Sequence, residues 1–273
     1  MNFFQAFILG IVQGITEFLP ISSSGHLVIV PYLLHWQFPS DQIFPFNVLI
    51  QVGTLLAVII YFWKDLITII SDFITGLFQE NPLKAQKTRL GWLLIIATIP
   101  AVIGGLILKK TVESAFQSII ATAIFLLVTA ALLLLADLFG RSRQNLSEMT
   151  FKNALIVGVF QLLSIFPGVS RSGSTITGGV LQGLSREDAA RFSFLMSIPV
   201  MVGAAILSIP DLLSISNLNQ FLPVLAIGFF TSAAVGFISI HWLLKFLQRN
   251  TLRVFSVYCT VLAAAIILLT ILQ

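Results

Sequence analysis

Two segments of this chain are similar in sequence. Residue 3 aligns with residue 151, an offset of 148, and segment 3–27 then matches segment 151–175 without a gap. The identical positions are Phe3, Ala6, Ile8, Gly10, Gln13, Phe18, Ser22, Ser24 and Gly25, matched by Phe151, Ala154, Ile156, Gly158, Gln161, Phe166, Ser170, Ser172 and Gly173. A duplication of this kind in an apolar chain predicts a membrane protein of two halves, with its site where the halves meet.

The composition indicates that lipid is the solvent for much of the chain. Of 273 residues, 57% are hydrophobic and 10% are charged, which is more apolar surface than a soluble core could bury. No basic face with interleaved aromatic residues is present, so we expect no nucleic-acid partner. The one cysteine, Cys259, lies in an apolar stretch, which excludes a disulfide or a cysteine-based metal site.

We therefore predict an all-α integral membrane protein with six transmembrane helices. The apolar stretches long enough to cross about 30 Å of hydrocarbon are 44–63, 91–108, 118–139, 192–209, 221–244 and 254–272. They place three spans in each half of a single membrane domain covering 1–273, with repeat 1 at about 1–140 and repeat 2 at about 149–273.

Shorter apolar segments form two further pairs, each interrupted by proline. Segments 3–18 and 21–34 are separated at Pro20, and segments 151–166 and 172–184 at Pro167-Gly168. Proline lacks an amide donor and disfavours helix in the preceding residue, so each pair is predicted as helix, break, helix. Polar residues at such a break within the bilayer are typical of a re-entrant helical hairpin.

The basic residues support re-entrance and predict the orientation. If each hairpin returns to its own side, twelve of the fifteen Lys and Arg residues share one face, which is then cytoplasmic, and only Lys109 and Lys110 lie on the other. The twelve are Lys64, Lys84, Lys87, Arg89, Arg141, Arg143, Lys152, Arg186, Arg191, Lys245, Arg249 and Arg253. Because three spans is an odd number, the second half is predicted to be inverted relative to the first, so that both hairpin tips can meet inside the membrane.

Glu17 and Arg171 are the only charged residues in the interior of the two hairpins, since Lys152 lies at the cytoplasmic end of segment 151–166. Charges inside a membrane are costly, so they usually face a cavity and have a partner. One interpretation is a structural ion pair that holds the hairpins together. The other is that Arg171 binds a phosphate with its planar fork, and both can hold in different states.

Hydroxyl side chains are concentrated at both breaks. Ser22 and Ser170 could serve only as helix N-caps, but this does not explain Ser23, Ser24, Ser172, Ser174 and Thr175 nearby. Two helix N-termini that face each other form an anion site, so we expect an anionic, phosphorylated ligand. The phosphate ligands we predict are Ser22, Ser24, Ser170, Arg171, Ser172 and Thr175.

Two further side chains complete the candidate site. His26 follows Ser23 by three residues and shares its helix face, and we interpret it as catalytic. Gln13 and Glu17 are four residues apart, and together with phosphate oxygens they are candidate ligands for Mg²⁺ or Ca²⁺.

At these residues the chain closely resembles the bacterial undecaprenyl-diphosphate phosphatase family, the integral-membrane type once named for bacitracin resistance. The first family signature falls on Gln13 and Glu17, followed by Ser22, Ser23, Ser24 and His26, and the second on residues 167–175. One position departs from the pattern, because many members have glutamate where this chain has Gln13. The change removes a second carboxylate from the predicted cation site.

The resemblance implies hydrolysis of undecaprenyl diphosphate to undecaprenyl phosphate and inorganic phosphate, which recycles the lipid carrier of cell-wall synthesis. It also implies a divalent cation, a location in the bacterial plasma membrane and a site that opens to the extracytoplasmic side. We expect membrane lipid and the isoprenoid diphosphate as partners, and a homodimer as a possible assembly.

The mechanism stays open at this point. Ser23 is our first candidate for the nucleophile, with Glu17 or His26 as its base, and the alternatives are attack by His26 or by a metal-bound water. A different class of function is a transporter or flippase for a phosphorylated isoprenoid lipid, since inverted repeats with broken helices are also a transport architecture.

Overall fold

The computed structural model describes residues 1–78, 88–116, 118–142, 144–215 and 217–272. Among the described residues the regular structure is helical, with one isolated bridge between Gln144 and Leu184. Of the basic residues used to predict orientation, Lys84, Lys87 and Arg143 lie outside the described residues.

The helices follow the order of the predicted repeat. The first part of the chain contains α1 (Phe3–Phe18), α2 (Ser23–Leu33), α3 (Ser40–Tyr61), α4 (Trp63–Leu77), α5 (Arg89–Ile107), α6 (Lys109–Phe116) and α7 (Ile119–Phe139). The second part contains α8 (Phe151–Leu163), α9 (Arg171–Leu181), α10 (Arg186–Leu207), α11 (Ile209–Leu213), α12 (Leu218–Leu247) and α13 (Arg253–Leu272).

Six of the described helices, α3, α5, α7, α10, α12 and α13, are long and apolar enough to cross a membrane, which confirms the predicted number of spans and makes the chain a multi-pass membrane protein. The largest boundary difference is at α10, which begins at Arg186 and not at residue 192. Its first turn carries Glu187 and Asp188, and Ser185 caps it by accepting a hydrogen bond from the Asp188 amide. Acidic residues suit a helix N-terminus, so hydropathy alone places the start too late.

Both predicted helix breaks are present. α1 ends at Phe18 and α2 begins at Ser23, whereas α8 ends at Leu163 and α9 begins at Arg171. Ser22 and Ser170 are the N-caps that follow the breaks, and their hydroxyls accept hydrogen bonds from the amides of Gly25 (3.2 Å) and Gly173 (3.0 Å). The two breaks therefore use the same local chemistry.

The first helix of each repeat packs against a span from the other part of the chain, α1 on α12 and α8 on α5. Glycine allows this close approach. A Cβ built on Gly10 would lie 2.8 Å from the carbonyl oxygen of Gly228, and one built on Gly158 would lie 2.5 Å from that of Ala97. Small residues have this role between membrane helices, where lipid gives no hydrophobic drive to associate.

The buried core lies beside the first break. Phe18, the last residue of α1, is fully buried and packs edge-to-face on Phe194 of α10, with ring centroids 5.2 Å apart. Phe62 also contacts Phe194, at 6.4 Å. This cluster fixes the end of α1 and hence the position of Glu17, its neighbour in sequence.

We predict that Gly158→Ala destabilises the protein by about 1–3 kcal/mol, because the added methyl group meets the backbone of Ala97, which cannot rotate away. Gly105→Ala on α5 is the matched control, since a Cβ there meets nothing within 4 Å. The unfolding midpoints of both variants in detergent test this. Equal midpoints would show that α8 and α5 are not in such close contact.

Candidate active site

The two helix breaks contact each other. The Ser172 hydroxyl donates a hydrogen bond to the carbonyl oxygen of Leu19 (3.1 Å), which links the start of α9 to the end of α1. A Cβ built on Gly25 would lie 3.3 Å from Gly168 Cα, and one built on Gly173 would lie 3.4 Å from Pro20 Cβ. The chemically capable residues of both repeats are thus in one place.

The Glu17 carboxylate is the centre of this region. Its Oε2 accepts hydrogen bonds from Gln13 Nε2 (2.8 Å) and Ser23 Oγ (2.5 Å), and its Oε1 accepts one from Arg171 Nη2 (2.7 Å). Only 3% of the Glu17 side chain and 13% of the Arg171 side chain are exposed. The structure therefore brings together four predicted site residues, from α1, α2 and α9.

Local sequence explains why these four side chains converge. Gln13 and Glu17 lie one turn apart on the same face of α1. Ser23 and Arg171 are each the first residue of the helix that follows a break. The repeat thus places Ser23 and Arg171 at equivalent positions, on either side of Glu17.

Both helices begin next to this cluster with amides that have no acceptor inside the helix. Ser22 reaches this geometry with φ 71°, a left-handed conformation that costs a non-glycine residue about 1–2 kcal/mol. The two helix N-termini attract anions, and so does the guanidinium of Arg171, which begins α9.

Arg171 has one terminal nitrogen on Glu17 and another without a partner. Its Nη1 is buried and makes no hydrogen bond with any described residue. A buried guanidinium nitrogen left unpaired is costly, so it needs an acceptor. A phosphate oxygen has the charge and geometry for this position, since the planar fork of arginine matches phosphate.

The other predicted phosphate ligands lie around this centre, and most already have a partner. Ser24 Oγ is 3.3 Å from Ser22 Oγ, and Ser172 Oγ is 3.1 Å from Ser170 Oγ. Thr175 is fully buried one turn into α9, where its hydroxyl donates to the Arg171 carbonyl (2.7 Å). Its side chain supports the start of α9.

His26 does not join the Glu17 cluster in the described structure. Its Nδ1 lies 2.7 Å from the Ser22 carbonyl oxygen, and its Nε2 lies 2.7 Å from the hydroxyl of Tyr258 on α13. Glu17, rather than His26, is therefore the group in hydrogen-bond contact with the Ser23 hydroxyl.

The donor set limits what cation the site can hold. In the part of the chain that the structure describes, no three His, Cys, Asp or Glu side chains come together as a metal site. Gln13 and Glu17 offer one amide and one carboxylate. They do not fit a cation enclosed by protein ligands, but they fit Mg²⁺ or Ca²⁺ shared with phosphate oxygens and water.

An apolar cavity of about 490 Å³ lies beside the site. Its walls come from α1, α2 and α13, including Ile11, Ile15 and Val254, and His26 and Tyr258 also line it. The cavity meets the site at His26, whose Nδ1 contacts the Ser22 carbonyl, and its apolar walls have the surface chemistry of a hydrocarbon site.

Four polar side chains that support the site were not predicted from the sequence. Thr54 lies 3.4 Å from Gln13 Nε2, Thr129 accepts from the Ser170 amide (2.9 Å), Ser193 lies 2.6 Å from Thr175, and Tyr258 binds His26. All four are on membrane spans, at sequence separations from 18 residues for Ser193 to 232 for Tyr258. The one available signal was a hydroxyl within an apolar stretch, which many spans contain.

These observations define a class: a multi-pass membrane protein with a buried Glu–Arg–Ser site formed by two broken helical segments. A family model described as Bacitracin resistance protein BacA matches residues 6–265. The chain is 42% identical to an undecaprenyl-diphosphatase of Methanosphaera stadtmanae, over 99% of both chains. It is 46% identical to one of Geotalea daltonii over 94% of both, and 43% identical to one of Chlorobium phaeovibrioides over 100% of this chain and 98% of that protein. The chain belongs to the BacA family.

Removal of Glu17 should leave Arg171 as a buried, unpaired charge, so we predict that Glu17→Leu lowers the free energy of unfolding by about 3–5 kcal/mol. Adding Arg171→Met should recover part of this loss, with a coupling energy of about 1–3 kcal/mol. Unfolding in detergent measures both.

The ion pair between Arg191 and Asp65 is the matched control for this cycle. It has nearly the same N–O distance, 2.8 Å, but 42% of each side chain is exposed. Its coupling should be about 0–1 kcal/mol. Equal coupling in the two cycles would mean that the Glu17 pair is not buried as described.

Proposed function

We propose that this chain is an undecaprenyl-diphosphatase, an enzyme that hydrolyses undecaprenyl diphosphate to undecaprenyl phosphate and inorganic phosphate. Full-length similarity to proteins of that name supports the reaction. The observation that carries it is the short hydrogen bond from Ser23 to Glu17, beside an arginine with a free nitrogen. A nucleophile, its base and an anion-binding group therefore converge at one point.

Substrate binding follows from the two surfaces of the site. In our proposal the diphosphate lies between the helix breaks, where it accepts hydrogen bonds from Arg171 Nη1 and the first amides of α2 and α9. The isoprenoid tail leaves through the apolar cavity between α1 and α13 and continues in the lipid. The remaining hydroxyl side chains surround the phosphates or hold the helix starts in place: Ser22, Ser24, Ser170, Ser172 and Thr175.

The first chemical step transfers the terminal phosphoryl group to the enzyme. Glu17 accepts the proton of the Ser23 hydroxyl, and Ser23 Oγ bonds to the terminal phosphorus while the bond to the bridging oxygen breaks. Undecaprenyl phosphate leaves with that oxygen. Arg171 and the helix N-termini stabilise the charge on the transferred group, since phosphoryl transfer depends mainly on positioning and electrostatics.

The second step releases phosphate. Glu17 passes its first proton to solvent and accepts another from a water molecule that attacks the phosphorus. It returns this proton to Ser23 Oγ as the bond between that oxygen and the phosphorus breaks. Glu17 is therefore the base in both steps, first for Ser23 and then for water. His26, which binds Ser22 and Tyr258, has no proton-transfer step in this proposal.

We further propose that the two repeats are inverted and that each broken pair is a re-entrant hairpin. The unequal distribution of basic residues supports this, as does the contact between the two breaks. The site then opens to the extracytoplasmic side of the bacterial plasma membrane. Hydrolysis of substrate added only to the cytoplasmic side of sealed vesicles would contradict this orientation. The homodimer stays a prediction, which the mass of the purified particle tests.

The transporter remains an alternative outcome of the assay, and no observation favours it. Purified protein incubated with a long-chain prenyl diphosphate should release inorganic phosphate. Binding of the lipid without release would favour transport.

We predict that Ser23→Ala lowers kcat by at least about 10³-fold, because it removes the nucleophile. Ser239→Ala on α12, whose hydroxyl bonds the Val235 carbonyl in its own helix (2.8 Å), should leave phosphate release unchanged. Mass spectrometry of acid-quenched enzyme should detect phosphoserine at position 23. Near-normal turnover by Ser23→Ala would instead assign attack to His26 or to water.

A divalent cation is part of the proposal, with Glu17 and Gln13 as its protein ligands. Bound there, it would supply positive charge that stabilises the transferred phosphoryl group. Chelation with EDTA should lower phosphate release at least about tenfold, and Mg²⁺ or Ca²⁺ should restore it. Gln13→Glu should lower the cation concentration for half-maximal rate by about tenfold, equivalent to about 1.4 kcal/mol. Full activity in EDTA would exclude a required cation.

A further inference from the structure

His26 connects a lipid-facing helix to the turn that carries Ser23. Its Nε2 is 2.7 Å from the Tyr258 hydroxyl and its Nδ1 is 2.7 Å from the Ser22 carbonyl oxygen. The two rings are nearly parallel, at 7°, with centroids 5.7 Å apart. A continuous path of hydrogen bonds thus runs from α13 to the first residue before α2.

The Ser22 carbonyl determines which nitrogen of His26 carries a proton. A carbonyl oxygen only accepts, so Nδ1 must be the donor to Ser22. In neutral histidine Nε2 is then the acceptor, and the Tyr258 hydroxyl donates to it. The Tyr258 hydroxyl, which can donate or accept, does not set this tautomer; its bond to Nε2 holds the ring in the orientation that places Nδ1 against Ser22.

The orientation of the Ser22 carbonyl affects the position of Ser23. It accepts from the His26 ring and also from the His26 amide, at 3.2 Å. Because the peptide unit is planar and trans, fixing this carbonyl also fixes the Ser23 N–H, which points the opposite way. That amide is the first of α2, and the same residue donates its hydroxyl to Glu17.

The turn needs such support because Ser22 has a left-handed backbone, with φ 71°. Strained conformations of this kind persist only where surrounding contacts hold them. On the Ser22 carbonyl, the contact from outside the α2 backbone is the ring of His26, whose orientation depends on Tyr258.

We propose that Tyr258 is a positioning residue for the hydrolysis: through His26 it holds the Ser22–Ser23 peptide so that Ser23 stays aligned with Glu17 and the phosphate. The inference rests on the proposed function. It assigns His26 a positioning role as well, and it explains why a polar hydroxyl lies at the wall of an apolar cavity on α13.

Tyr258→Phe tests the proposal, since it removes one oxygen and keeps the ring. We expect kcat to fall about 10- to 100-fold, the effect of a small misplacement of a reacting group. KM for the prenyl diphosphate should stay within about twofold, because the ring still lines the cavity. If kcat stays normal and kcat/KM falls only because KM rises, the proposal is overturned and Tyr258 is a tail-binding residue.

Tyr61→Phe is the matched control. Tyr61 also forms a Tyr–His hydrogen bond, 3.2 Å to His241 Nδ1, and lines a separate cavity with Asp65 and Arg191. We expect kcat and KM of this variant to equal those of the wild type. A similar fall in kcat for both variants would show a general effect of losing a Tyr–His bond and would overturn the proposal.

Nitrogen NMR gives a readout that does not need turnover. The chain has three histidines, so the ¹⁵N signals of His26 can be assigned by comparison with variants of His35 and His241. His26 should be protonated at Nδ1 in the wild type, and in Tyr258→Phe this proton should exchange faster with water, because the ring is no longer held against the Ser22 carbonyl. An unchanged His26 signature would overturn the proposal even if the enzyme is active.

The two proposals fail in different ways. Absence of phosphate release by the wild type would contradict the proposed function. An active wild type with normal kcat in Tyr258→Phe would contradict only the positioning role.

Discussion

The structure depends on one buried carboxylate. Glu17 lies within a membrane protein with 3% of its side chain exposed, where an unpaired charge would cost at least a few kcal/mol. Arg171 balances it from the second repeat, and Gln13 and Ser23 complete its hydrogen bonds from the first. The same contacts that make the charge tolerable also bring a hydroxyl, a base and a guanidinium together. Stability and chemistry therefore share one set of atoms.

The surroundings of Glu17 are adapted to this geometry. Glycines allow α1 to lie against α12 and α8 against α5, and the breaks then meet at Gly25 and Gly168. Each break provides a capped helix start, in which the cap hydroxyl accepts from one early amide and other early amides have no acceptor inside the helix. An exchange of partners between repeats places two helix N-termini at one point, which a single repeat could not do.

Much of this arrangement is predictable from particular residues. The duplicated sequence and Pro20 predict the breaks, and the Glu17–Arg171 contact is predictable because these are the two charged residues next to the breaks. Hydropathy predicts the start of α10 too late, because Arg186 and Glu187 are charged although both lie in its first turn. The His26–Tyr258 bond could not be predicted, because it joins residues 232 positions apart and Tyr258 lies in an otherwise ordinary span. Tertiary packing alone decides which side chain His26 meets.

The most direct test of the central claim is an experimental structure with a prenyl methylenediphosphonate, a substrate analogue that cannot be hydrolysed at the bridging atom. We predict that an oxygen of its terminal phosphonate lies about 3 Å from Arg171 Nη1. The phosphorus should lie about 3–3.5 Å from Ser23 Oγ, a geometry from which attack can occur. Glu17 should remain within hydrogen-bond distance of Ser23. A phosphonate bound elsewhere, with Arg171 and Ser23 making no contact to it, would contradict the account.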